Sequence, residues 1–235
     1  MSTSPINKIW TFGCSFSTDH YLQMNETYTG VLSEKLGVDY ENFAESAMCH
    51  EECFNRLTQN MNRFEKNDLI IYQFTAGTRE GFKINNDFYY TSAGLTRDLN
   101  LMFDLMNKYS GGRDRFPIKD DQFILLCDYM NHWAPHTIYH KYHRVFNTLS
   151  FLQSKVGIKY RILCLDNDFK PFRTEHFINF PTSSDENNLS IMNWVDENKW
   201  TLGDTKPTQV MRTDKHPNEE GHYNIGIRLY ENNIC

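Results

Sequence analysis

Apolar positions along this chain alternate between short unbroken runs and three- and four-residue spacings, the signatures of buried strands and amphipathic helices. Lys8-Ile-Trp-Thr-Phe12 is a short apolar run that stops at Gly13 and predicts a first strand. Tyr28 to Leu36 reads as a helix with Val31, Leu32 and Leu36 near one face. Val38 to Phe43 is strand-like, and Glu51 to Phe64 is helical, with Cys53, Leu57, Met61 and Phe64 at helical spacing. Asp68 to Thr75 is the clearest strand, because its continuous run suits a central parallel strand buried on both faces.

Phe82 to Thr91 predicts a hairpin around Asn85-Asn86-Asp87, an excursion from the main sheet. Leu95 to Tyr109 and Gln122 to Trp133 read as helices, with Phe123 to Cys127 open to a strand reading. Pro135 opens a further helix whose apolar stripe is Ile138, Tyr142, Val145, Leu149 and Leu152, ended by Gly157. Tyr160 to Leu165 is again strand-like. Asp166 to Asp204 is long, polar and aromatic-bearing, which predicts a functional flap or an insertion. Asn218 is placed to cap a last helix carrying Glu219 and Glu220 in its first turn and Ile225 and Leu229 on its inner face.

Strands alternating with helices imply an α/β protein with a mainly parallel central sheet covered on both sides. With 235 residues, no internal repeat and no dividing linker, one domain over 1–235 is expected. The net charge of -6, without a basic stripe, disfavours a nucleic-acid partner. No run of 18 apolar residues predicts a membrane span. Residues Met1 to Lys8 lack the apolar stretch of a signal peptide. The cysteines (14, 49, 53, 127, 164 and 235) are scattered like reduced thiols, so a cytoplasmic protein is expected. Cys49 and Cys53 lack the second pair that would complete a zinc site.

Ligands of parallel α/β sheets bind at the carboxyl ends of the strands. Polar clusters fall there at Gly13-Cys-Ser15-Phe-Ser17, at Asn42-Phe-Ala-Glu-Ser-Ala47 and at Thr75-Ala-Gly-Thr-Arg79. A fourth, Thr213-Asp-Lys-His-Pro-Asn218, precedes the last helix. A serine becomes an effective nucleophile when a neutral imidazole takes its proton and a carboxylate orients that imidazole.

These clusters resemble the sequence blocks of the SGNH (GDSL-type) hydrolases over nearly the whole chain. Thr11 to Ser17 is similar to the first block, with Ser15 as nucleophile. Asn42, Ala44 and Ala47 are similar to the second, with Ala47 where a glycine is usual. Asp214-Lys-His-Pro followed by Gly221-His222 is similar to the last, with His216 as base and Asp214 as its orienting acid. The third block ends in Thr75-Ala-Gly-Thr78 instead of an asparagine, and Asp214 stands two residues before the histidine instead of three. The resemblance implies a flavodoxin-like three-layer α/β/α sandwich and ester or acyl chemistry, with no cofactor. Oxyanion donors would be the Ser15 and Ala47 N–H groups and the Thr75 or Thr78 hydroxyl.

Plainer roles compete. Ser15 could cap a helix, Cys14 is expected to be a small packed hydrophobe, and Asp19 and His20 to be surface residues one turn on. Arg79 could anchor an acidic substrate group or form a structural ion pair. His136, His140 and His143 share a face opposite the apolar stripe, which reads as solvated, so no metal is expected. His222, in line with Ile225 and Leu229, reads as a packed, hydrogen-bonded histidine. The expected function is removal of a small acyl group, acetyl, from a carbohydrate-like ester through Ser15, His216 and Asp214. A binding or structural protein on the same scaffold is the alternative, as is an acyltransferase using the same residues.

Overall fold

A computed structural model describes residues 5–18, 22–46, 48–75, 80–84, 87–91, 120–205 and 214–232. Four parallel strands form the central sheet: β1 (Lys8–Phe12), β2 (Asp39–Asn42), β3 (Leu69–Phe74) and β6 (Lys159–Cys164), in spatial order β2-β1-β3-β6. That order is the one expected for the first four strands of a flavodoxin-like sheet. β4 (Glu80–Ile84) and β5 (Asp87–Thr91) pair antiparallel as a separate hairpin, as the Asn85-Asn86 punctuation predicts. The predicted helix at 95–109 lies outside the described residues.

Pairing of Phe12 with Tyr72 and of Tyr72 with Ile162 fixes which side chains share a face. Trp10, Phe12, Tyr72 and Phe74 point to one side. There Trp10 and Phe12 meet Phe43 and Phe64, and Phe74 meets His50 and Tyr142. That side is covered by α2 (His50–Gln59) and α3 (Asp120–Val156). Thr11 faces the other way, onto Thr29 of α1 (Tyr28–Leu36). α1 packs in turn against α6 (Glu219–Glu231), with Gly226 so close to Val31 that a Cβ there would lie 2.8 Å from its Cγ1. Helices therefore cover both faces of the sheet. β3 is buried at all six positions, as its uninterrupted apolar pattern requires.

Two predicted elements differ. The helices read at 122–133 and from Pro135 are one continuous helix, α3, with Pro135 in its interior. Proline there removes the bond to the Asn131 carbonyl, a cost of ~3 kcal/mol in an isolated helix. Tyr142, Val145, Leu149 and Leu152 are all buried, and each such side chain offsets ~1.5–3 kcal/mol. The strand alternative for Phe123 to Cys127 is thereby excluded.

The second difference is the 166–204 segment, which is neither flap nor loose insertion. It contains α4 (Ile191–Glu197) and α5 (Leu202–Thr205), and it buries Phe169, Phe177, Phe180, Leu189, Ile191 and Val195. It also straps the free edge of β6. Ile162 N–H donates to the His176 carbonyl at 2.8 Å, Ile178 N–H donates to the Ile162 carbonyl at 3.0 Å, and a parallel bridge joins Cys164 to Ser190. These straps occupy edge groups that a fifth strand would otherwise use.

Candidate active site

The site is built at the carboxyl end of β1. Residues Ser15–Ser17 form a single 3-10 turn. The turn needs Gly13 before it, because a Cβ there would lie 2.5 Å from Ser17 Oγ and 2.6 Å from Gln73 Oε1. Ser15 is not a cap. Its Oγ lies 2.7 Å from His216 Nε2, and Phe16 packs against the same imidazole with ring centroids 4.8 Å apart.

The imidazole's other nitrogen, Nδ1, lies 2.5 Å from Asp214 Oδ1, which also accepts the His216 backbone N–H at 2.9 Å. One carboxylate oxygen thus closes an Asx turn and holds the ring. That turn explains why an acid two residues before the histidine reaches it: the side chain folds forward onto its own i+2 residue. With Nδ1–H donated to the carboxylate, Nε2 is the nitrogen left to accept from the Ser15 hydroxyl.

The loop carrying Asp214 and His216 is held from outside by the segment that leads into α5. Leu202 N–H donates to the His216 carbonyl at 2.8 Å, Gly203 N–H to the Asp214 carbonyl at 3.0 Å, and Asn218 N–H to the Trp200 carbonyl at 2.9 Å. Asn218 does double duty. Its Oδ1 accepts from Gly221 N–H at 2.9 Å to cap α6, and its Nδ2 donates to the Thr201 carbonyl at 3.3 Å. Gly221 is required at this crossing, where a Cβ would come within 2.7 Å of the Trp200 carbonyl oxygen.

Other predicted residues take supporting places. Asn42 Nδ2 donates to the Ser17 carbonyl at 2.6 Å while its Oδ1 accepts from Ala44 N–H at 3.0 Å, tying the end of β2 to the Ser15 turn. Thr75 is buried directly after β3. Ala47, Thr78, Arg79, Asp19 and His20 lie outside the described residues. His222 is fully packed, and its Nδ1 accepts the Tyr28 N–H at 3.2 Å, the first of α1. Burial and, secondarily, the nearby His216 push the His222 imidazole down to about 3.

His140 is exposed, as its solvated face predicts, whereas His143 is half-buried, with its ring 4.1 Å from that of Tyr139, and His136 is described by its backbone alone. Among the described residues no group of histidines, cysteines and acids is arranged to hold a metal, and no helix is long and apolar enough to cross a membrane. Among the described residues Cys14, Cys49, Cys53 and Cys164 are buried and outside any disulfide.

Sequence reasoning missed Gln73. It sits in β3 with no exposure, and its Oε1 accepts from Cys14 N–H at 3.2 Å and from the Ser17 hydroxyl. Its Nε2 is buried with no partner among the described residues, a state that costs about 1–3 kcal/mol. The available signal was an amide inside a run expected to be buried on both faces.

An α/β fold that presents a serine, a histidine and an aspartate in one hydrogen-bonded series at the carboxyl edge of a parallel sheet defines a class of scaffold and site. No protein-family model matches the chain, and no curated protein matches it. Among solved structures it is similar to one from Desulfitobacterium hafniense DCB-2 described as a "putative lipolytic protein of G-D-S-L family". The match covers 96% of this chain and 99% of that one at 10% identity and a TM-score of 0.41. At those values the likeness is no basis for an activity.

Proposed function

We propose that this protein is a serine hydrolase of the esterase type, with Ser15 as nucleophile, His216 as general base and Asp214 as the acid that orients it. The observation that carries the proposal is the pair of contacts on one imidazole, 2.7 Å to Ser15 Oγ and 2.5 Å to Asp214 Oδ1. In this reading Ser15 Oγ attacks the ester carbonyl as its proton passes to His216 Nε2. The tetrahedral intermediate then collapses, the C–O bond to the alcohol breaks, and the alcohol leaves with that proton. Water repeats the sequence to release the acid and restore Ser15.

The Ser15 N–H opens its 3-10 turn, so it has no partner within the turn and is the first oxyanion donor. The Ala47 N–H and the hydroxyl of Thr75 or Thr78 complete the set in this proposal, and Arg79 is left for an acidic substrate group.

For the substrate we propose a small acyl ester, an acetate, of a hydroxyl-rich alcohol. The resemblance of the sequence blocks to the SGNH hydrolases supports the acyl ester, and the net charge of -6 supports a neutral alcohol. Buried thiols outside any disulfide, at Cys14, Cys49, Cys53 and Cys164, support a reducing, cytoplasmic setting. The rival reading of a silent scaffold draws on the missing third-block asparagine and on the position of the acid, and the Asx turn bears on the second alone.

The test is turnover of p-nitrophenyl acetate by wild type, Ser15→Ala and His216→Ala. The proposal expects wild-type turnover and a loss of at least about 10³-fold in each variant. Equal rates in wild type and Ser15→Ala would refute it.

A further inference from the structure

We infer that Gln73 is a positioning residue for the nucleophile: a single side-chain oxygen on the central strand fixes the turn that presents Ser15. The inference rests on the proposed role of Ser15 and adds a residue that no sequence block contains. Three donors converge on Gln73 Oε1, namely the Cys14 N–H at 3.2 Å, the Cys14 thiol at 3.7 Å and the Ser17 hydroxyl. Ser15 lies between these two anchored residues, so its backbone is pinned on the preceding side and two residues beyond.

The direction of each bond is fixed by chemistry. A backbone N–H can only donate, so the amide atom facing Cys14 must be the oxygen. The Tyr28 hydroxyl lies 2.7 Å from Ser17 Oγ and donates to it, leaving the Ser17 proton for Gln73. Burial raises the Tyr28 phenol above its ordinary value, which keeps it a donor. The series Tyr28 → Ser17 → Gln73 therefore runs one way and ends on the oxygen that also holds Cys14.

An apolar residue would fit the pattern of β3, which is buried at every position, yet an amide stands there with its oxygen under the turn. Gly13 belongs to the device, since any Cβ there would meet both Ser17 Oγ and Gln73 Oε1. A loosely held turn would still bind substrate but would present Oγ in the attacking geometry less often. Small misplacements of a reacting group cost on the order of 10²-fold in rate.

The experiment compares wild type, Gln73→Met, Gln73→Glu, Ser17→Ala and Ser15→Ala on p-nitrophenyl acetate. Rates of the proteins that keep Ser15 are expressed per site titrated with a fluorophosphonate, so that unfolded protein drops out, and that of Ser15→Ala per mole of folded protein. Gln73→Met, which keeps the volume and removes the acceptor, is expected to lower kcat at least about tenfold, with KM within about threefold of wild type. Gln73→Glu, which keeps an acceptor oxygen, is expected to recover most of that loss when assayed at mildly acidic pH, where a buried carboxyl is neutral. A folded Gln73→Met with wild-type kcat per titrated site overturns the inference. If Gln73→Met does not fold, Ser17→Ala decides: a drop in kcat at constant KM supports the inference and an unchanged kcat overturns it. Turnover that survives in Ser15→Ala would instead overturn the proposed function, a separate result.

Discussion

Acidification should weaken this fold through one histidine remote from solvent. His222 on α6 accepts the first N–H of α1, so protonating Nδ1 sets a donor against a donor in the contact between the two helices. Its folded value of about 3 lies well below the ordinary value of about 6.5. Between those values the unfolded chain binds more protons, so stability is complete above about pH 6.5 and is lost as pH falls toward 3. At about pH 4.5 the group is two units inside that window, which corresponds to about 3 kcal/mol. Other groups titrate there too, so the informative quantity is a difference. His222→Asn places an amide oxygen where Nδ1 accepts from Tyr28 N–H and cannot titrate. Urea unfolding of both proteins from about pH 7.5 to about pH 4.5 should show wild type losing about 3 kcal/mol more than the variant. Curves that stay parallel within about 0.5 kcal/mol would refute the reasoning.

Two further outcomes test the base loop. Asp214→Asn keeps the shape of the Asx turn but weakens the hold on the imidazole tautomer, and kcat on a nitrophenyl ester should fall ~10³–10⁴-fold with the circular dichroism spectrum unchanged. Asn218→Ala removes the α6 cap and the tie to Thr201, and urea unfolding should report a loss of about 2 kcal/mol, together with a lower kcat because the same residue anchors the His216 loop.

Elements whose burial follows a short local period were legible in the sequence. The unbroken Leu69–Phe74 run reads directly as a buried parallel strand, and Asn218 with Glu219 and Glu220 reads as a helix start, because each signal is local. α3 was split in the reading because Pro135 is a strong local stop, and packing of the stripe beyond it overrides that preference. The 166–204 segment was misjudged for another reason. Its order comes from long-range straps, such as Ile178 N–H to the Ile162 carbonyl, that leave no periodic trace. Within the site, Ser15, Asp214 and His216 were legible through the resemblance of their segments to the SGNH blocks, since a serine after a glycine alone reads as a cap. The Asx turn that lets Asp214 serve at a two-residue offset is a matter of backbone geometry. Gln73 stayed hidden because a buried amide belongs to no periodic pattern, and its partners are 56 and 59 residues away in the chain.

The most direct test is to expose the protein to a fluorophosphonate and map the adduct by peptide mass spectrometry. An activated Ser15 predicts a phosphonyl group on the peptide containing that residue, absent in Ser15→Ala and formed at least about 10²-fold more slowly in His216→Ala. A wild-type protein left unmodified at Ser15, or labelled equally fast without His216, would contradict it.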